Sequence, residues 1–269
     1  MRRILKLEIR RAIRSKWTLI SFMIVFVICL GLFAEETIDL IKLGYFEDEK
    51  ISAILSIYDR WIFFAQRPIS VLLMFILPIM VVLPYGDSYY TDMKSGYIKQ
   101  IVTRVSKRKY YLAKYIATYI TGGMVVVLPI IIQIMLYMLI YPVSKPYLTN
   151  DAAWFSNGSP GVSMYYEHPF VFLLIWMMIY FIVFGAMAVL ALFVSQFIYN
   201  YFSIILTPFV VSFVLIVIAN ITENGVISFW QSLWGRTVSG WNYMIPVSEV
   251  AIMILLSFVS FVCIKKEVI

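Results

Sequence analysis

Long apolar blocks without charge dominate the pattern of the chain. Five of them contain no Asp, Glu, Lys, Arg or His, namely residues 17–34, 68–86, 115–144, 169–222 and 250–264. A helix rises about 1.5 Å per residue and bilayer hydrocarbon is about 30 Å thick, so about 20 apolar residues cross it. The run 169–222 is too long for one helix. Ser195-Gln196 and Asn200-Tyr201 near its middle supply the polar turn that divides it into two.

The blocks therefore predict an all-α polytopic membrane protein with six transmembrane helices. Backbone groups inside lipid must be hydrogen-bonded within the chain, and a helix meets this need by itself. The whole chain, 1–269, is expected to form a single transmembrane domain. The expected spans are about 17–34, 68–86, 115–141, 170–194, 202–222 and 246–264.

Composition agrees with this interpretation. Hydrophobic residues make up 62% of the chain and charged residues only 14%, whereas soluble domains carry about 25% charged residues. This excludes a soluble enzyme and a disordered tail. The two cysteines, Cys29 and Cys263, both fall inside expected spans, so they form neither a disulfide framework nor a metal-binding pattern.

The distribution of charge predicts the orientation. Sixteen of the 22 Lys and Arg residues lie in residues 1–16, 87–114 and 265–266, while eleven of the 15 acids lie in the other connecting segments. Excess Lys and Arg mark the cytoplasmic side of a membrane. We therefore expect both termini to be cytoplasmic. The net charge of +7 is then a signal of topology, and we expect no nucleic-acid partner.

The first sixteen residues are both basic and amphipathic. Apolar and basic side chains recur there at helical spacing: Leu5, Ile9, Ala12, Ile13 and Trp17 on the one hand, and Lys6, Arg10 and Arg14 on the other. Such a helix lies in the membrane interface, with its basic side toward anionic headgroups. The alternative is a charged flank that only sets topology. The apolar stripe favours the interfacial helix.

Residues 87–114 form the one long connection expected on the cytoplasmic side. Its acids, Asp87 and Asp92, precede Gly96. An apolar helical stripe follows, formed by Ile98, Ile101, Val102 and Val105, with Arg104 beside it. A basic cluster comes next, formed by Lys107, Arg108 and Lys109. The alternative interpretation is a basic loop that anchors on phospholipid.

This connection resembles the one in permease subunits of type-2 ATP-binding-cassette (ABC) exporters. In that family an acidic residue follows the end of the second span, and a Gly and a short helix come after it. A segment of the form Ser-Arg-x-x-Tyr/Phe-x-x-x-Lys then leads into the third span. The corresponding residues are Asp87, Gly96, Ile98–Ile101, Arg104–Arg108, Tyr110 and Lys114. Val105 stands where the family often has Pro.

The resemblance implies a coupling loop at 87–114 that rests on a cytoplasmic ATPase, and an elbow helix at 1–16. It implies a dimer of permeases, identical or homologous, with two ATPase subunits. The expected function is export of an amphipathic or hydrophobic solute across a bacterial cell membrane. A peptide such as a bacteriocin is the first expectation for the cargo, and a drug or lipid the next.

Residues for catalysis or cofactor binding are missing. The chain has no Gly-x-x-x-x-Gly-Lys-Ser/Thr phosphate loop, so ATP and Mg²⁺ should bind in the partner ATPase. Its one histidine, His168, stands alone on the expected outer side. We therefore expect no enzyme, no metal and no cofactor in this chain. The competing interpretations are a membrane sensor or anchor that recruits a cytoplasmic partner, a secondary transporter and a membrane-embedded enzyme. Spans almost free of ionisable groups disfavour the secondary transporter.

An aromatic segment precedes the last expected span. It includes Trp230, Trp234 and the single charge Arg236, and Trp side chains prefer the membrane interface. The resemblance implies an outer gate here, and the alternative is an ordinary aromatic belt. Glu249, at the outer start of the last span, either lines the path or is a carboxylate at a helix N-terminus.

Overall fold

A computed structural model describes residues 1–42, 44, 56–61, 67–141, 143–146, 162–222, 233, 248, 251–252 and 255. All regular structure in this part of the chain is helical. The helices are α1 (Arg2–Ile13), α2 (Lys16–Lys42), α3 (Pro68–Met80), α4 (Ser88–Lys94), α5 (Tyr97–Val102), α6 (Lys107–Tyr137), α7 (Val162–Glu167), α8 (Pro169–Val194) and α9 (Tyr201–Ile221), with one 3₁₀ turn at Ile57–Asp59.

The prediction of all-helical structure is confirmed for the described residues, and several of their helices are candidates for membrane spans. Four of the described helices, α2, α6, α8 and α9, are long and apolar enough to cross a membrane, and α3 is a shorter apolar helix. The chain turns between α8 and α9, where Asn200 Oδ1 accepts a hydrogen bond of 3.1 Å from the Phe202 backbone N–H. The last predicted span, 246–264, lies largely outside the described residues.

Helix α3 ends earlier than the apolar block that contains it. It ends at Met80, and residues 81–87 continue as successive turns. Pro84 explains the end, because its ring would clash with the Met80 carbonyl and it has no N–H to donate to that carbonyl. The turns are closed by hydrogen bonds such as Gly86 N–H to Val82 O, at 2.7 Å. They bring Tyr85 beside the N-terminal helix.

Helix α6 is the centre of the bundle, and it packs most extensively against α8. Small residues permit this contact. A Cβ atom on Gly122 would lie 2.5 Å from Ala188 Cβ, and one on Gly185 would lie 2.8 Å from the Tyr119 carbonyl oxygen. Small residues let transmembrane helices approach closely, which increases van der Waals contact where the hydrophobic effect cannot drive association.

Helix α6 also contacts α1 and α2. Gln133 is fully buried in α6, and its Nε2 donates a 3.0 Å hydrogen bond to the Cys29 carbonyl oxygen of α2. Helix α2 itself runs past the predicted end of its span to Lys42, and Glu36 is buried on it. The connection after α2 returns to the core, where the buried Trp61 ring lies 5.7 Å from that of Tyr180.

Candidate functional site

A cluster of four charged side chains lies where α1, α4 and the start of α6 meet. Its members are Glu8 and Arg11 of α1, Asp92 of α4 and Lys114 of α6. Glu8 and Lys114 are fully buried, Asp92 is 2% exposed and Arg11 is half-buried. The cluster contains two acids and two bases, so their formal charges balance. We call these four residues the charge cluster.

Asp92 is the hub of the charge cluster. Its Oδ2 lies 2.7 Å from Lys114 Nζ, and its Oδ1 accepts a 2.8 Å hydrogen bond from Arg11 Nη2. The Tyr110 hydroxyl donates to Oδ2 at 2.5 Å. Burial by itself would raise the pKa of Asp92, but Lys114 and the hydrogen bonds from Arg11, Lys114 and Tyr110 outweigh burial. The pKa of Asp92 is therefore below its ordinary value, and the carboxylate is ionised at neutral pH.

Glu8 completes the charge cluster from α1. Its Oε1 lies 3.3 Å from Arg11 Nη1, its Oε2 lies 3.9 Å from Lys114 Nζ, and the Tyr85 hydroxyl donates to Oε2. Lys114 Nζ also lies 4.9 Å from the centre of the Tyr85 ring. Hydrogen bonds with Asp92 and the surrounding negative groups raise the pKa of Arg11 above its ordinary value although burial opposes this. Arg11 thus stays charged.

The spacing of residues along α1 and α6 explains how their side chains reach the charge cluster. Arg11 and Ala12 follow Glu8 by three and four residues, so one face of α1 carries all three toward the bundle. Tyr110 and Lys114 are likewise one turn apart on α6. Lys114 is the last charged residue before the uncharged run 115–144. The charge cluster therefore lies at the end of an apolar helix, where a membrane-spanning segment would begin.

A layer of tyrosines supports the charge cluster. Tyr89, Tyr110, Tyr111 and Tyr115 are buried together with Val189 and Leu192 of α8. The rings of Tyr110 and Tyr111 lie 5.4 Å apart, edge to face. Ile98 and Ile101 of α5 pack against this layer and are half-buried. The apolar stripe predicted for the loop thus joins α5 to the bundle, and Lys99, Gln100, Thr103 and Arg104 are exposed.

The remaining predicted residues of the loop take up definite positions. Asp87 is half-buried at the N-cap position of α4, without a side-chain bond to the helix backbone, and its Oδ2 accepts a 3.0 Å hydrogen bond from the Thr91 hydroxyl. Burial raises the pKa of Asp87, and the Thr91 bond offsets part of this. Gly96 joins α4 to α5 at a φ of 73°, the left-handed region that glycine enters without strain. Lys107 is half-buried and Arg108 is exposed.

The predicted residues of the other two regions stand as follows. In α1, Leu5 and Ile9 are half-buried, Ile13 is 51% exposed, and Lys6, Arg10 and Arg14 are exposed. The predicted outer gate, Trp230, Trp234, Arg236 and Glu249, lies outside the described residues. Among the residues that the structure describes, no group of His, Cys, Asp or Glu could hold a metal ion.

Sequence reasoning identified Asp92 but not its partners on α1. Glu8 is the sole acid in the basic segment 1–16, which is a signal that could have been noticed. Arg11 stands among six other basic residues in that segment, and nothing in the sequence separates it from them. Tyr110 and Lys114 entered only as part of the family resemblance.

Comparisons with family models, curated proteins and solved structures find no match to this chain.

Proposed function

We propose that this chain is the permease subunit of an ATP-driven exporter, and that residues 87–114 couple it to a separate ATPase. One observation carries the proposal. The connection folds into two short helices, α4 and α5, and buried ion pairs of Asp92 tie it to α1 and α6. A loop that only anchored on phospholipid would need no such buried attachment.

The arrangement suits the transmission of force. Helix α5 is attached through Ile98 and Ile101 to the tyrosine layer, and Arg11 stacks on Tyr97 with the guanidinium carbon 4.5 Å from the ring centre. A push on α5 would move α4, and the Asp92–Lys114 pair would pass that movement to α6. Because α6 packs on α8 and α2, the displacement would reach the helices that surround a transport path.

The exposed side of α5 is the proposed contact for the ATPase. Lys99 of α5 and Arg104, two residues after the end of that helix, are both exposed and would meet acidic groups on the partner. ATP and Mg²⁺ would bind to the ATPase, which supplies the hydrolysis. Two permeases, identical or homologous, would face each other with two ATPases beneath them.

The cargo follows from the chemistry of the helices. The described parts of α8 and α9 contain no charged residue, so a path along them suits an amphipathic or hydrophobic solute. A peptide such as a bacteriocin is the first candidate, followed by a drug or a lipid. The proposed location is the bacterial cell membrane, with the charge cluster on the cytoplasmic side.

Purification of the tagged chain from its native membranes tests the proposal. An ATPase with a phosphate loop should co-purify, and Lys99→Glu with Arg104→Glu should abolish its retention. The matched control is Lys42→Glu with Lys145→Glu, which makes the same charge change at two exposed positions near the opposite end of the bundle. This control should keep the ATPase.

Other outcomes of this experiment contradict the proposal. A kinase or a regulator in place of the ATPase would favour the sensor interpretation. Equal loss of the ATPase in both double variants would show that the exposed side of α5 is not the contact.

A further inference from the structure

Helix α1 presents two different faces. Glu8 and Ala12 are buried against the bundle, and Arg11 is engaged with Asp92. The opposite face carries a second row of basic residues, Arg2, Lys6, Arg10 and Arg14, at exact intervals of four. Within the described part of the chain, none of these four side chains forms an ion pair, in contrast to Arg11.

An apolar row runs beside this basic row. Leu5, Ile9 and Ile13 follow the same interval of four, so the two rows are parallel along the helix. Together they line an open groove of about 690 Å³. One wall of the groove attracts an anion and the other attracts hydrocarbon.

The position of α1 brings this groove to the membrane boundary. The Thr18 hydroxyl donates a 2.6 Å hydrogen bond to the Ala12 carbonyl, which fixes the corner between α1 and the membrane-spanning candidate α2. Trp17 at this corner is 47% exposed, as expected of an aromatic residue at the interface. Helix α1 therefore lies where the hydrocarbon of the bilayer gives way to the headgroups.

We propose that the outward face of α1 binds anionic phospholipid, with a headgroup phosphate on the basic row and an acyl chain on the apolar row. Charge complementarity selects a lipid of net negative charge over a zwitterionic one. The apolar row distinguishes this occupant from an acidic protein, which would leave Ile13 and the exposed parts of Leu5 and Ile9 uncovered. The inference does not depend on the ATPase.

Lipid binding on this face would also affect stability. All residues that line the groove belong to α1. A lipid that binds the folded helix and not the unfolded chain stabilises the folded state by mass action. Anionic lipid would thus stabilise the folded protein.

The test uses the full chain in nanodiscs of phosphatidylcholine alone and of phosphatidylcholine mixed with phosphatidylglycerol. Native mass spectrometry measures the ratio of the two lipids that stay bound, and thermal unfolding measures stability. The test variant is Lys6→Gln, Arg10→Gln and Arg14→Gln. The matched control, Lys42→Gln, Lys94→Gln and Lys145→Gln, removes the same charge from exposed positions elsewhere.

We expect the wild type to be enriched in phosphatidylglycerol and to unfold at a higher temperature in the mixed nanodiscs. Each basic side chain near an anionic surface strengthens binding by roughly fivefold, so the test variant should lose at least about tenfold of its preference. The control variant should retain the preference. In the wild type, added NaCl should reduce it, since salt screens exposed charges.

Several results would overturn the proposal. These are equal binding of both lipids by the wild type, a preference insensitive to NaCl, or equal loss in the test and control variants. A test variant that retains its lipid preference but loses a protein partner would identify the groove as a protein contact instead. Should the test variant not fold, the comparison of lipids and of salt in the wild type still decides the question.

Discussion

The Nζ atom of Lys114 lies 2.7 Å from Oδ2 of Asp92, and both side chains are buried. Asp92 belongs to the connection between the apolar helices α3 and α6, and Lys114 belongs to α6 itself. Their contact is the shortest ion pair among the described residues. Buried ion pairs contribute little net stability, because desolvation offsets the attraction, but loss of one partner leaves a costly unpaired charge. The pair therefore fixes a position more than it adds stability.

Asp92→Asn should destabilise the protein by about 3–5 kcal/mol, because Lys114 and Arg11 lose their shared counter-ion. Asp87→Asn is the control, since Asp87 is half-buried and accepts one hydrogen bond from Thr91. The measurement is the free energy of unfolding in detergent. The double variant Asp92→Asn with Lys114→Met should be less unstable than the sum of its single variants. Strict additivity would show that the two residues do not act as a pair.

The stability of the wild type should fall in acid through Asp92. Its pKa in the folded protein is depressed below the ordinary value of about 3.9. Its contribution is therefore fully present above that ordinary value and is lost as pH falls through the folded pKa. Thermal unfolding measured from neutral pH downward should show this loss, and Asp92→Asn should lack it.

Asp87 should contribute with the opposite sign. Its folded pKa is raised, so the folded state binds the proton more tightly and this contribution becomes more favourable as pH falls. Asp87→Asn should therefore remove a destabilising term at neutral pH. If the acid profiles of the two variants were identical, the assignment of the shifts would be wrong.

Gly185→Ala should separate α8 from α6. The new Cβ would lie 2.8 Å from the Tyr119 carbonyl oxygen, so backbone must move, and we expect a loss of about 1–3 kcal/mol. Gly31→Ala is the matched control, because its Cβ would meet Ile69 Cδ1 at an ordinary 3.7 Å. The control should be neutral, or more stable by up to about 1 kcal/mol through helix propensity. The measurement is the free energy of unfolding of each variant, and equal values for the two would contradict the close contact at Gly185.

The charge asymmetry predicts that α4 and the end of α6 lie on opposite sides of the membrane. Cysteines introduced at Ser95 and at Lys145, which are both exposed, should react with an impermeant maleimide from opposite faces. The background replaces Cys29 and Cys263 with alanine. Ser95→Cys should label only in opened cells and Lys145→Cys in intact ones. Labelling of both from outside would contradict the six-span arrangement.

The pattern of apolar residues was sufficient to predict the main helices in the described part of the chain. Membrane-spanning helices satisfy their own backbone and need only a local run of apolar residues, so α8 begins at Pro169 and α9 at Tyr201, close to the predicted bounds. The pattern did not show that α3 ends at Met80 or that α2 continues to Lys42. The first depends on turns that deliver Tyr85 to Glu8. The second accompanies the packing of Leu40 and Glu36, both buried on α2 in a segment outside the predicted span.

The sequence by itself determined an all-helical membrane protein, a basic amphipathic start and a loop with Asp92 and Gly96 at its centre. Only the tertiary structure decided that Glu8 and Arg11 meet Asp92 and Lys114, since Arg11 and Asp92 are 81 positions apart. Local patterns report which residues share a helix face, but not which faces of distant helices come into contact. That choice depends on close packing at Gly122 and Gly185 and on the balance of buried charges, and both require the assembled bundle.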